Sequence, residues 1–463
     1  MSEIESFKDK CGVFGIINHK DASHKTMLGL HALQHRGQES CGIASFDEQK
    51  IFVKKHEGLV SRTFTPSEIT NLSGNIAVGH VRYSTSGKGT QEDSHNCIQP
   101  FCGKTRDGNI ALAHNGNLVE YQALKEQLLL DSALFISDVD SEVILQLIIH
   151  SKKSTIEEKI IDAISRLRGA FSLVIATENF ICAIRDKNAI RPLCIGTLDE
   201  AKIISSESCA ISAIGGEFVR EICAGEMLFL YKNGEEKQEF LPNCKESPNK
   251  KFCIFELVYF SRPDSSTAGK SVYDIRKNIG TVLYSEAEKI EADVIVPVPD
   301  SGIPSAMGYA RASGIPFEFG IIRNHYVGRT FIDPSQKVRQ NKVQMKHAPN
   351  VDVIKGKKVV LIDDSIVRGT TSKQIVQMLF EAGAKEIHMK IASPPTKFPC
   401  FYGIDTPQKE DLIANNMSIE ETAKFLGVNS LQYISLNGLK QACTEEKTGE
   451  NFCDACFSGN YFA

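Results

Sequence analysis

No stretch of the 463-residue sequence approaches the ~20 apolar residues needed to cross a bilayer, and its start, MSEIESFKDK, is too acidic and polar for a signal peptide. A cytoplasmic protein is expected, with no membrane partner. There is also no excess of one charge. The formal net charge is −4 and the basic residues are scattered, which offers no attractive field to nucleic acid. A small-molecule ligand is expected instead. In a cytosolic setting, fourteen cysteines do not argue for a disulfide framework, which leaves metal ligation, catalysis or burial. Cys182, Cys194, Cys209 and Cys223 sit in apolar or strand-like settings and are expected to be buried as small hydrophobes. With 42% hydrophobic and 24% charged residues, the chain has ample core material for two or three domains.

What is present is most specific between Lys357 and Gly383, KKVVLIDDSIVRGTTSKQIVQMLFEAG. Val359, Val360, Leu361 and Ile362 form the unbroken apolar run of a strand buried on both faces. Ile375, Val376, Leu379 and Phe380 then repeat at helical spacing, and Gly383 closes the helix. In an open α/β sheet, ligands sit beyond the carboxyl ends of the strands, where Asp363 and Asp364 stand. Two adjacent carboxylates accept hydrogen bonds from a vicinal diol. The backbone N–H groups of Gly369, Thr370, Thr371 and Ser372 open the next helix and favour a monophosphate. Diol and phosphate together describe ribose 5-phosphate. The plain alternative is a turn with an Asp cap, and no Gly-Lys-Ser/Thr ending is present for an ATP-type phosphate loop. The run from Val360 to Ser372 resembles the signature of the type I phosphoribosyltransferases, and DDSIVRGTTS resembles the version found in the glutamine-dependent amidophosphoribosyltransferases.

At the other end, CGVFGI begins a glycine-spaced apolar strand at Cys11, which read alone is a buried strand residue. HALQHRGQESCGIA at 31–44, GHVRYSTSG at 79–87 and LAHNGNL at 112–118 follow in the order that characterises the glutamine amidotransferases with an N-terminal cysteine nucleophile. That resemblance implies that residues 1–10 are a propeptide and that Cys11 is the nucleophile, with its own α-amine as base. An α-amine titrates near ~8, close enough to neutrality to take the thiol proton. It further implies that Arg82 binds the α-carboxylate of glutamine and Asp140 its α-ammonium. Asn115 and Gly116 would form an oxyanion hole, and the loop from His80 to Lys88 a lid. Each residue has a structural alternative: a surface ion pair for Arg82, a hairpin turn for Asn115-Gly116, a cap for the helix from about Ser141 to His150 for Asp140. RDKNAIRPL has Lys187 and Ala189 where the family wording has proline and glycine, and Ala224 stands where proline is usual, which questions local turn geometry.

Asn233 to Lys251 is charged and punctuated by Pro and Gly, the expected domain junction. A helix at about 271–290 and the strand of DVIVPVPDSG follow. The loop Pro299–Gly302 is either a plain turn or, by the resemblance, a pyrophosphate loop. The basic segment at 324–346 is either a solvated loop or the family's flexible catalytic loop, with Arg329, Lys337 and Lys346 as candidates against a leaving pyrophosphate.

Cys453 and Cys456 form a C-x-x-C pair with redox, zinc or iron–sulfur readings. KKFCIFELVYFSRPD and SPPTKFPCFYGIDTP resemble the ligand-bearing segments of the iron–sulfur branch of these amidotransferases. They nominate Cys253 and Cys400 beside Cys453 and Cys456 for a 4Fe-4S cluster, with Cys244, Cys443 and zinc as alternatives.

The expected fold is α/β and α+β in two domains: an N-terminal-nucleophile αββα sandwich at 11–240, then a type I phosphoribosyltransferase parallel α/β sheet at 250–420. A helical tail with cluster ligands would follow at 421–463. The resemblance implies release of ammonia from glutamine and its transfer to phosphoribosyl pyrophosphate, giving 5-phosphoribosylamine, the committed entry to purine synthesis. Mg²⁺ is expected on substrate phosphates with Ser301, Asp363 and Asp364 as protein contacts. Purine nucleotides as feedback inhibitors and a homotetramer are expected from the same resemblance. The rivals are another glutamine amidotransferase that shares only the first domain, such as a glucosamine phosphate synthase, and a regulatory protein that senses phosphoribosyl pyrophosphate.

Overall fold

Strands with no polar face need cover on both sides, and in the first half of the chain two antiparallel sheets supply it for each other. The computed structural model describes residues 11–48, 50–83, 95–242, 244, 250–267, 269–324, 347–444 and 452–462. The leader, Arg329, Lys337, Lys346 and the part of the expected lid beyond Tyr83 lie outside them. The first sheet runs Glu217–Glu221, Cys194–Leu198, Ala201–Ser205, Gly12–Ile17, Ile76–Arg82, Ser40–Asp47, Lys50–Glu57. The second runs Glu236–Phe240, Glu226–Tyr231, Phe180–Arg185, Gly169–Ala176, Gly108–Leu118, Phe101–Thr105.

Val13, Ile17 and Val78 of the first sheet pack on Ala111, Ala113, Val174 and Ala183 of the second, small residues that let the layers approach. Phe14 and Ile16 point the other way, onto the helices Ala22–Ala32 and Ser208–Ala213. Leu112, Leu173 and Ile175 face the helices Asp140–His150 and Ile156–Ser165 on the far side. The order is helix, sheet, sheet, helix, the expected sandwich.

The second half is a parallel sheet ordered Val294–Pro297, Lys358–Asp363, Glu386–Ile391, Ser430–Tyr433. Val359, Val360, Leu361 and Ile362 are fully buried at its centre. The helix Thr370–Glu381 buries Ile375, Val376, Met378 and Leu379, whereas Phe380, expected in the core, is exposed at the edge of that stripe.

Several expectations are corrected. The junction does not start at Asn233: Asn233-Gly234 turns a hairpin whose second strand, Glu236–Phe240, pairs with Glu226–Tyr231. The division at 420 falls inside the helix Ile419–Leu426, and Ser430–Tyr433 joins the parallel sheet, so the tail is not purely helical. Ser430 and Tyr433 find partners in His388 and Ile391, a pairing that a four-residue run does not announce. The helix expected to 290 ends at Ser285, where Glu286, Glu288 and Glu291 oppose the dipole at a C-terminus. Cys223 is exposed, because it starts the turn in which Glu226 N donates to its carbonyl at 3.2 Å; Cys182, Cys194 and Cys209 are buried.

Candidate active site

The first candidate centre lies where one end of the first sheet meets the second. Cys11 is half-buried just ahead of Gly12–Ile17, and its Sγ lies 3.8 Å from the Tyr83 carbonyl oxygen. Gly12 pairs with Val81, so the half-buried Arg82 stands beside Cys11 at the end of its strand. His80 Nε2 reaches the His114 carbonyl at 3.0 Å and links that strand to Gly108–Leu118, which carries Asn115 and Gly116. Burial holds the His80 imidazole down at about 3, neutral at any working pH.

Asn115 is 1% exposed, and neither Oδ1 nor Nδ2 has a hydrogen-bond partner among the described residues. Buried amides are normally satisfied, so this one is held open for something else. Gly116 has φ +158°, and a Cβ there would stand 2.0 Å from the Ala170 carbonyl oxygen, so no other residue fits. Asp140 lies in the first turn of its helix, capped by Val139 rather than acting as the cap. Its Oδ2 accepts from Leu118 N at 2.8 Å and its Oδ1 from the Ser141 hydroxyl at 3.3 Å. His114 Nδ1 is 2.9 Å from that hydroxyl, and Gln99 bonds both Ser141 and His114 N, which fixes the strand behind Asn115. The position of Gln99 in this web had no signal in the sequence.

The second centre is a cleft of about 560 Å³ at the carboxyl end of the parallel sheet. Ser301, Asp363, Asp364, Gly369, Thr371 and Ser372 line it, as expected. Thr370 is exposed and outside the lining, leaving only its backbone at the helix start. Gly369, at φ +77°, precedes that helix with no side-chain cap, so the first-turn donors are open to an anion. Desolvation and then Asp364 push the Asp363 carboxyl well above its usual range, while Asp364 N and the Ser365 hydroxyl donate to the pair. Such a pair holds a proton until a cation or hydroxyl donors arrive. Arg276, Arg323, His347 and Tyr259 also line the cleft, as do His35 and Gln38 of the first domain. None of these was singled out by sequence: His35 and Gln38 lie within the motif at 31–44 without a role of their own, and an isolated basic or aromatic residue has no spacing signature.

Among the described residues, no group of three or more His, Cys, Asp or Glu side chains stands in metal-holding geometry. Cys253, Cys453 and Cys456 nonetheless share one core cluster, and Cys400 packs against it. Cys253 pairs with Cys453 across a short parallel bridge, and Cys253, Cys400 and Cys453 all add to the rise that burial imposes on the Cys456 thiol. Cys400 Sγ accepts from Tyr402 N at 3.3 Å and Ile404 N at 3.4 Å. Cys244 is in the core under the second sheet, and Cys443 is buried in the core of the second half, where burial pushes its thiol up to about 12.

Residues 82–213 match a glutamine amidotransferase domain and residues 269–392 a phosphoribosyl transferase domain. The chain is 46% identical over 464 residues to the amidophosphoribosyltransferase of Rhizobium etli, covering 99% of this chain and 92% of that one. With the amidophosphoribosyltransferase of Bacillus subtilis it shares 44% identity, covering 100% and 96%. The chain belongs to the amidophosphoribosyltransferase family. It therefore acts at the first step of purine biosynthesis, and a protein that only senses phosphoribosyl pyrophosphate is not favoured. A solved glutamine phosphoribosylpyrophosphate amidotransferase of B. subtilis, complexed with ADP and GMP, superimposes with a TM-score of 0.90, covering 97% of each chain. A second solved structure, titled as the allosteric regulatory enzyme of purine biosynthesis, gives 0.91 at 44% identity, covering 97% of this chain and 96% of that one. Both parts of the enzyme thus keep the family's two-domain architecture. No helix among the described residues is long and apolar enough to cross a membrane.

Proposed function

We propose that Cys11, freed from residues 1–10, attacks the glutamine carboxamide, and that its new α-amine takes the thiol proton and passes it to the leaving ammonia. Water then releases glutamate. Arg82 takes the substrate carboxylate, and Asp140, whose Oδ2 is on Leu118 N, takes the ammonium on Oδ1 beside the Ser141 hydroxyl. Asn115 Nδ2 and Gly116 N would meet the oxyanion. The observation that carries this reading is the buried, unpartnered amide of Asn115. Such donors cost nothing to reorganise when charge develops.

In the cleft, ammonia displaces pyrophosphate at C1 with inversion. Asp363 and Asp364 accept from the ribose hydroxyls, and Thr371 and Ser372 with the open helix terminus hold the 5′-phosphate. Mg²⁺, which fits the carboxylates and Ser301, would offset the charge of the leaving pyrophosphate. Arg329, Lys337 and Lys346 are candidates for the same task. The division into 11–240 and 250 onward follows the two chemistries. Purine nucleotides as inhibitors and a tetramer belong to this reading, the first supported by the relative solved with ADP and GMP.

Cys11→Ala is expected to abolish glutamine-driven synthesis and leave ammonia-driven synthesis intact; Asp364→Ala should impair both. Intact mass of the active protein should begin at Cys11, and full activity in chains retaining Met1 overturns the assignment.

We propose further that Cys253, Cys400, Cys453 and Cys456 hold a 4Fe-4S cluster. The reading rests on Cys253, Cys453 and Cys456 sharing one core cluster against which Cys400 packs, and on the two N–H donors aimed at Cys400. A bound cluster would staple the tail to the junction and add to folding free energy. Iron and sulfide analysis of anaerobically prepared protein tests this, and stoichiometric zinc without iron refutes it.

A further inference from the structure

Four ionisable side chains stand where neither substrate binding nor proton transfer accounts for them. Arg36, Arg191, Glu207 and Glu256 are each at most 3% exposed. They form one connected set. Arg36 lies 2.6 Å from Glu207 and 2.7 Å from Glu256, and Arg191 pairs with that same Glu256. Burial opposes ionisation of Glu256, but Arg191 and Arg36 outweigh it and hold the carboxyl at about 2, so it is charged at neutral pH. A buried ion set is a poor way to gain stability, because desolvation consumes most of the attraction. What it does supply is direction. Arg191 Nε and Nη1 have no hydrogen-bond partner among the described residues, so the set is not a closed, fully satisfied cluster.

Both ends of the set reach a centre. Arg36 Nε donates to the Cys11 carbonyl at 3.3 Å. Glu256 opens the helical turn Glu256–Phe260, whose Tyr259 and Phe260 line the cleft together with Ser261 and Arg262. The Ser261 hydroxyl donates to Glu256 at 3.1 Å, while Arg262 N and the Ser265 hydroxyl donate to Glu207 at 2.9 and 2.7 Å. His35, next to Arg36, lines the cleft and holds Glu207 at 2.7 Å. The cleft wall is therefore joined to Cys11 by a run of charge-assisted contacts.

We infer that Arg36 is a positioning residue which, through Glu256 and Glu207, places Cys11 according to the occupancy of the phosphoribosyl cleft. The inference rests on Cys11 being the glutamine nucleophile and the cleft being the phosphoribosyl pyrophosphate site. Phosphoribosyl pyrophosphate pressing on Tyr259 to Arg262 shifts the carboxylates, and the guanidinium, bound in a fixed fork, carries the shift to Cys11.

The test uses the full-length enzyme and measures glutamine hydrolysis with and without phosphoribosyl pyrophosphate, beside ammonia-driven synthesis. Wild type should be stimulated. Arg36→Lys keeps the charge without the fork and should lower the stimulation factor by about tenfold, within the usual range of coupling between sites. Ser265→Ala removes one neutral donor and leaves all four charges, so it folds even where Arg36→Lys does not. It should lower stimulation by about threefold. Ammonia-driven kcat should stay within about twofold in both, because the coupling acts on the other centre. The double variant should lose no more than Arg36→Lys alone, since both act on one route. Unchanged stimulation in Ser265→Ala, or a parallel loss of ammonia-driven synthesis, overturns the inference. Glutamine hydrolysis that survives Cys11→Ala instead removes the reading beneath it.

Discussion

Replacing Asn115 by leucine should make the protein more stable and destroy its glutamine chemistry at once. The side chain is 1% exposed where its strand pairs with Gly169–Ala176, with Ser172 opposite, and neither polar atom of its amide has a partner among the described residues. A buried group left without its hydrogen bonds costs about 1–3 kcal/mol, whereas leucine has nearly the same shape and nothing to satisfy. The variant should gain roughly 2 kcal/mol, which for a domain of this size raises its melting transition by about 4–8 °C. Losing one oxyanion donor should lower glutamine-driven kcat by about 10²–10³-fold. Ammonia-driven synthesis, at the other centre, should not change. Calorimetry and the two assays on one preparation decide the matter. A lowered transition would mean that the amide is satisfied in the protein, and retained glutamine turnover would mean that it is not the donor.

Because desolvation and Asp364 keep Asp363 protonated beyond the usual carboxylate range, binding of Mg²⁺ and phosphoribosyl pyrophosphate should expel a proton. Affinity should then rise with pH. Calorimetric titrations in two buffers of different ionisation enthalpy measure that proton, and a count of zero refutes the assignment. Ala189 holds a left-handed backbone at φ 53° in the turn that Asp186 organises, so Ala189→Gly should stabilise the fold by about 1 kcal/mol in urea melts. A destabilised variant would show that the turn tolerates the Cβ. Asp186 itself is driven up to about 6 by burial, with its carboxylate form held back from neutral only by the Asn188, Phe171 and Ile190 N–H groups and Arg185. Its folded pKa thus lies above the unfolded value, so its contribution to stability should fall as pH rises from about 4 to 6. Asp186→Asn should flatten that part of the stability profile.

Wherever an element is built from consecutive residues, the sequence alone determined it. The strand Lys358–Asp363, its two carboxylates and the helix Thr370–Glu381 were legible because burial on both faces demands an apolar run and the helix a 3.6-residue repeat. Cys11, Arg82, Asn115 and Asp140 were legible only as local motifs. That His80, His114 and Ser141 bring them to one end of the sandwich is a tertiary fact. Short elements escaped for the same reason. Ser430–Tyr433 is a strand because Glu386–Ile391 offers it an edge, and the second strand of the hairpin after Asn233 exists because Glu226–Tyr231 does. The bond from Arg36 to Glu256 spans 220 residues, and His35 reaches a cleft built by the other domain. Charges that meet only after two cores have closed leave no period and no spacing in the chain, so folding alone decides which of the 53 basic residues join a buried ion set.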